Sequence, residues 1–167
     1  MTLKATLKSS WRVKETGSPD QGTSAHAYDE TATLRLSEGT GAGQANTEIA
    51  KVGTIAASGT LNLDLAGGVE DGFGNTVTFT AVKALRIRAD AGNTNNLVVG
   101  GAVSNPWTGP FADSSDKIAI PPGGMLELRN PGAAGWAVTA DTGDILLLAN
   151  SGAGTGVGYR VEIIGEG

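Results

Sequence analysis

No segment of this chain keeps apolar residues at the 3.6-residue spacing of an amphipathic helix over ten or more positions. Apolar and polar residues alternate instead, in short runs separated by Gly, Pro, Asn and Asp. Leu61, Leu63 and Leu65 point one way, and Asn62 and Asp64 the other. Tyr159, Val161 and Ile163 share one face, opposite Arg160 and Glu162. A period of two is the mark of a half-buried strand. Many short strands with turn signals between them confine the chain to an all-β sandwich or barrel. The 26 glycines follow no three-residue period, which excludes collagen, and an apolar content of 40% argues against disorder. A chain of 167 residues is long enough for one core, burying roughly 70% of its unfolded surface.

From Val52 onward the pattern predicts strands at Val52–Ala56, Thr60–Leu65, Thr76–Thr80, Val82–Arg88 and Leu97–Val99. Further strands are expected at Lys117–Ile120, Met125–Arg129, Trp136–Thr139, Asp144–Ala149 and Val157–Ile164. In "VTFTAVKALRIRA" the apolar phase slips by one between Ala81 and Val82. A one-residue slip would turn every later side chain to the wrong face, so a β-bulge or sharp corner is expected there. A short helix over Thr80–Leu85 is the competing reading. Eight to ten strands with long connections, such as Gly100–Asp116, suit an antiparallel, jelly-roll-like sandwich better than a strict meander.

The first 50 residues differ. Leu3, Ala5 and Leu7, then Trp11 and Val13, then Ala32, Leu34 and Leu36 alternate with polar residues, while "ETGSPDQGTS" and "EGTGAGQAN" read as flexible connections. Three short strands between polar loops carry too little apolar surface to fold alone. We therefore divide the chain into an N-terminal arm, residues 1–50, and a β-sandwich, residues 51–167. The arm is expected to order only against the body, a sister subunit or another protein. Lys4, Lys8, Arg12 and Lys14 give residues 1–14 four positive charges and no acid, leaving the remainder at net −9. An acidic body repels nucleic acid. The basic arm is either a solvated terminus or a segment that docks on a neighbouring acidic surface.

The stretch from Asn105 to Trp136 holds five of the six prolines. Pro121 and Pro122 beside Gly123 and Gly124 make a rigid turn. "NPWTGPF" places Trp107 and Phe111 on a stiffened connection. They serve either as plugs over the sheet ends or as exposed contacts for a protein or a sugar. The candidate partner-binding residues are thus Lys4, Lys8, Trp11, Arg12, Lys14, Trp107 and Phe111.

Catalytic and cofactor chemistry finds little footing. Cysteine is absent, so no disulfide, thiol nucleophile or Cys-type zinc site is available. The only histidine, His26, lies in a polar stretch. The carboxylate pairs Glu70 with Asp71, Asp113 with Asp116, and Asp141 with Asp144 each sit beside turn residues, where Asp caps backbone. Glycoside hydrolysis or calcium binding at such a pair is the sharper alternative. "GTGAG" and "GAGTGVG" miss the phosphate-loop spacing and have no following helix. No cofactor or metal is expected, and the chain is read as a non-enzyme. No apolar run reaches the length of a membrane span, and "MTLKATLKSSWRVK" lacks the apolar core of a secretory leader.

Three stretches carry a family resemblance: "TLNLDLAGGVEDGFGNTVTFTAVKALRIRADAGNTNNLVVGGA", "IAIPPGGMLEL" and "TGDILLLANSGAGTGVGYRVEIIGEG", with "GTGAGQAN" upstream. Together they resemble small structural proteins of tailed bacteriophages over about two thirds of the chain. The resemblance implies a virion component on a β-sandwich, made in the host cytoplasm and exposed on the particle. Within that class the expectation is a capsid decoration (cement) protein that binds the major capsid protein as a homo-oligomer, dimer or trimer. The alternative is a receptor- or glycan-binding tail or fibre domain, in which Trp107, Trp136 or Tyr159 would stack on a sugar.

Overall fold

The computed structural model describes residues 2–167, which form fourteen strands and no helix. The all-β expectation holds. Eight strands build two four-stranded antiparallel sheets packed face to face. The first sheet runs in the order β11 (Met125–Arg129), β8 (Ala81–Ala89), β14 (Val157–Glu166), β4 (Thr47–Ile55). The second runs β10 (Ile118–Ile120), β9 (Leu97–Val99), β13 (Ile145–Asn150), β5 (Thr60–Asp64). The outermost strands in sequence pair with each other, β4 with β14 and β5 with β13; the inner ones follow, β8 with β11 and β9 with β10. This nested pairing, wound across two sheets, is the jelly roll. The short β12 (Trp136–Ala137) also pairs with β8, and β6 (Ala66–Glu70) with β7 (Thr76–Thr78) forms a side hairpin.

The core follows from the alternation. Leu85, Ile87 and Ala89 of β8 and Val157, Tyr159, Val161 and Ile163 of β14 face Leu146 and Leu148 of β13, Leu63 of β5 and Leu97 and Val99 of β9, all buried. The expected slip lies in the predicted strand, one residue on. Opposite the Ile164–Gly165 step of β14, β8 advances from Ala84 to Val82 and leaves Lys83 without a counterpart. This bulge lets Val82 join the core in place of Lys83, which a regular strand would point inward. Lys83 is nonetheless fully buried. Its Nζ donates to the carbonyls of Gly132 and Ala133, each at 2.6 Å, and pairs with Glu166 at 2.8 Å. The helix considered over Thr80–Leu85 is not formed.

The two ends of the sandwich differ. One end carries short, cross-tied loops: Asn150 Nδ2 donates to the carbonyls of Ala56 and Thr155, and Asn93 exchanges two bonds with the Gly158 backbone. The other end carries the long connections 65–80, 100–117 and 130–144.

The first 50 residues are not three short pieces joined by mobile loops. They contain one long ribbon, β1 (Ala5–Gly17) paired with β2 (Ser24–Glu38) through thirteen antiparallel residue pairs. The expected loop Glu15–Ser24 shrinks to the six residues 18–23, closed by a bond from Gly22 N to the Pro19 carbonyl at 3.1 Å. The body also begins earlier than residue 51. β4 starts at Thr47, and Ile49 is in the core; β3 (Gln44–Ala45) pairs in parallel with the end of β2. The "GTGAG" link between ribbon and body is fastened rather than loose. Gly43 N donates to the Pro131 carbonyl at 2.8 Å, and Gly41 N to the Gln44 side chain at 2.8 Å.

Candidate partner-binding surface

Residues facing one another across an antiparallel ladder share a side. One side of the ribbon therefore collects Ala5, Leu7, Trp11 and Val13 from β1 and Leu36, Leu34, Ala32 and Tyr28 from β2. The other collects Lys8, Arg12, Lys14, Thr31, Thr33 and Arg35. The ribbon is amphipathic, although polar sequence surrounds its apolar residues.

Its base lies across the outer face of the first sheet. Ala5, Thr6, Leu7 and Lys8 line a cleft with Ala84, Arg86 and Glu127, and with Glu162 and Ile164. Arg129 reaches the Ala32 carbonyl at 3.4 Å, Leu3 N bonds to Glu38, and Leu36 is 3% exposed. Beyond Ser9 the ribbon leaves the body. Every residue from Ser10 to Thr33 is exposed. Eight residues of each strand, at about 3.3 Å each, project roughly 25 Å. On that projecting half Trp11 is 66% exposed, with Tyr28 and Val13 exposed beside it. A two-stranded ribbon standing free in water is marginal, and an exposed Trp–Val–Tyr stripe is costly to leave wet.

The sequence-predicted residues Lys4, Lys8, Trp11, Arg12 and Lys14 thus belong to one device, with Trp11 on one side and Lys8, Arg12 and Lys14 on the other. Arg12 Nε and a terminal nitrogen donate to Asp29 at 2.8 and 2.6 Å across the ladder. Both groups are well exposed, so this pair contributes little stability. The outer edge of β1 is unpaired, and its cationic side chains discourage edge-to-edge aggregation. Val13 and Tyr28 were missed. Tyr28 lies in the polar stretch around His26, although Tyr28, Glu30, Ala32, Leu34 and Leu36 continue a single alternation.

Trp107 and Phe111 require a correction. Trp107 is 2% exposed; its Nε1 donates to the Ala137 carbonyl at 2.9 Å, and its ring meets Trp136 edge-on at 6.5 Å. It is a plug at the long-loop end, not a surface contact. Phe111 is half-buried and packs over Gly100, whose φ of +99° and closeness to the Asp116 carbonyl leave no room for a side chain. Tyr159 is buried too, and that burial pushes its phenol upward from its ordinary pKa. Of the three aromatics proposed for sugar stacking, only Trp136 retains partial exposure. The side chains that stand out at the long-loop end are Phe73 and Val103, both exposed. Phe73 sits on a turn held by Asp71, whose carboxylate accepts from the backbone N–H of Phe73 and Asn75.

The carboxylate pairs serve turns. Asp71 is held below the usual carboxylate range, first by the Asn75 side chain, and Asp113 likewise by the Ser115 backbone and hydroxyl. Asp116 accepts from Asp113 N at 2.8 Å, and Asp144 from Asp141 N at 2.7 Å. Among the described residues no three His, Asp or Glu side chains converge as a metal-binding group, and no helix is long and apolar enough to cross a membrane. Comparison with protein-family models, curated proteins and solved structures finds no match.

Proposed function

We propose that this chain is a structural virion protein of a tailed bacteriophage, a capsid decoration (cement) protein that grips the major capsid protein and stabilises the head lattice. The observation that carries this reading is the ribbon: a projecting, amphipathic two-stranded arm seated on a tightly tied jelly roll. Jelly rolls serve capsids, lectins and enzymes alike, so the fold alone does not choose among functions. The sequence resemblance to small phage virion proteins supports the choice. An exposed strand edge and an aromatic stripe suit attachment by added strand pairing and apolar anchoring, and repetition over a lattice multiplies modest contacts into avidity.

The test is addition of the purified protein to heads of the encoding phage that lack it. Hundreds of copies should bind per head, and loaded heads should survive heating and osmotic shock that break bare ones. Excising residues 10–31 and closing the ribbon with a short turn should abolish loading while leaving the body's melting temperature within a few degrees. A handful of copies per particle would instead place the protein in the tail, and absence from purified particles would end the proposal.

A further inference from the structure

The outer face of the first sheet is only partly covered by the chain's own ribbon. Cross-strand pairing divides that face into rows. Glu162, Arg86 and Glu127 form one row under the ribbon base. The next row toward the short-loop end is Val52, Arg160, Arg88 and Met125, in register across β4, β14, β8 and β11. Among the described residues nothing covers it. Val52 is 63% and Met125 56% exposed. The two arginines are poorly matched. Arg160 has no ion pair among the described residues, Arg88 approaches a carboxylate only at 3.6 Å (Glu162), and the buried Nε of Arg88 finds no acceptor.

The projecting half of the ribbon carries the converse set. On the side that at the ribbon base faces the sheet, Trp11 lies opposite Glu30, Val13 opposite Tyr28 and Glu15 opposite His26. Among the described residues neither Glu15 nor Glu30 is in an ion pair. One surface offers two apolar side chains and two under-used guanidinium groups. The other offers apolar and aromatic side chains with two free carboxylates. Aromatic faces and carboxylates are the two partners a guanidinium prefers.

From this complementarity we infer that the occupant of the row is a second copy of the same chain. The projecting ribbon of one copy lies over Val52, Arg160, Arg88 and Met125 of its neighbour, with Glu30 and Glu15 against the arginines. The ribbon leaves one body and is received by another, so the contact is head-to-tail and repeats around a closed ring. This rests on the ribbon as the adhesive element but not on the capsid reading, because the ring forms in solution without heads.

Light scattering and sedimentation of the intact chain at tens of micromolar test it. A discrete oligomer is expected. Glu30→Arg with Glu15→Arg should reduce it to monomer, as should Arg88→Glu with Arg160→Glu. Mixing these two monomeric variants, or combining all four changes in one chain, should restore association by at least tenfold over either variant alone. Circular dichroism and melting temperature confirm that each variant is folded. A monomeric intact chain, or an oligomer indifferent to both charge reversals, overturns the inference. A ring that forms but leaves heads undecorated would remove the capsid reading and keep this one.

Discussion

At the scale of single residues, two charged groups are tied most closely to the fold. Lys83 is fully buried, and its ammonium holds the 132–133 backbone and Glu166 together at the end of β14. Lys83→Ala leaves two carbonyls without their donor and a carboxylate without its counter-charge; a loss of about 3 kcal/mol is expected for breaking such a pair. Urea titration at neutral pH measures it. Glu162 accepts from Arg86 at 2.6 and 2.8 Å, and this bonding, first among the causes, holds its carboxyl below the usual range. The folded state therefore takes up its proton later than the unfolded chain does. Glu162 stabilises fully above the ordinary carboxylate pKa, and that stabilisation fades as pH falls through the lowered folded value. Glu162→Gln should lower the urea midpoint at pH 7, and its gap from the unaltered chain should narrow by pH 3. An equal gap at both values would show that the ion pair contributes nothing.

At the scale of elements, legibility followed burial. Leu97–Val99, which alternates because one face is buried, and Met125–Arg129, whose half-buried Leu126 and Leu128 pack against the core, stand at their expected limits. The phase slip in β8 called for a bulge or a sharp corner, and the bulge is what forms. The bulge depends on its partner: a Cβ on Gly165 would run into the Ala81 carbonyl and the Phe79 ring. Gly165→Ala should therefore cost roughly 2 kcal/mol, measured by thermal melting. What the sequence concealed was structure without burial. Most of the ribbon has solvent on both faces, so hydrophobic patterning gives way to Ser, Thr and charged residues, which also spell loop. The strand β6 (Ala66–Glu70) hid for a related reason: two glycines and an irregular register leave no alternation to read. In the candidate surface the basic residues and Trp11 were legible; Val13 and Tyr28 emerged only with the register. The burial of Trp107 was not decidable from local sequence, because its cover comes from Trp136 and Ala137, far along the chain.

At the scale of the whole molecule, the pairing within the two sandwich sheets is long-range. β4 meets β14 with Thr47 opposite Gly165, and β14 sits between β4 and β8. β4 cannot join β8 and β11 until β14 docks between them, so folding should be slow, in milliseconds to seconds. Removing residues 159–167 takes out a central strand rather than a tail. The truncated chain should lose its cooperative melting transition and its strand signal in far-ultraviolet circular dichroism. A truncated form that still melts cooperatively would show the second sheet to be self-sufficient.

The ribbon's two strands are anchored unequally. β2 continues covalently into the body through the fastened Gly39–Gly43 link, and β1 is held to the body by its ladder to β2 and its seat on the first sheet. A pull on the tip would therefore load β2 as a cable and β1 as a splint, with all thirteen rungs sharing the shear at once. Peeled from its base, the same splint would open one rung at a time. A joint built this way resists swelling of whatever it spans, yet yields to a sideways pry.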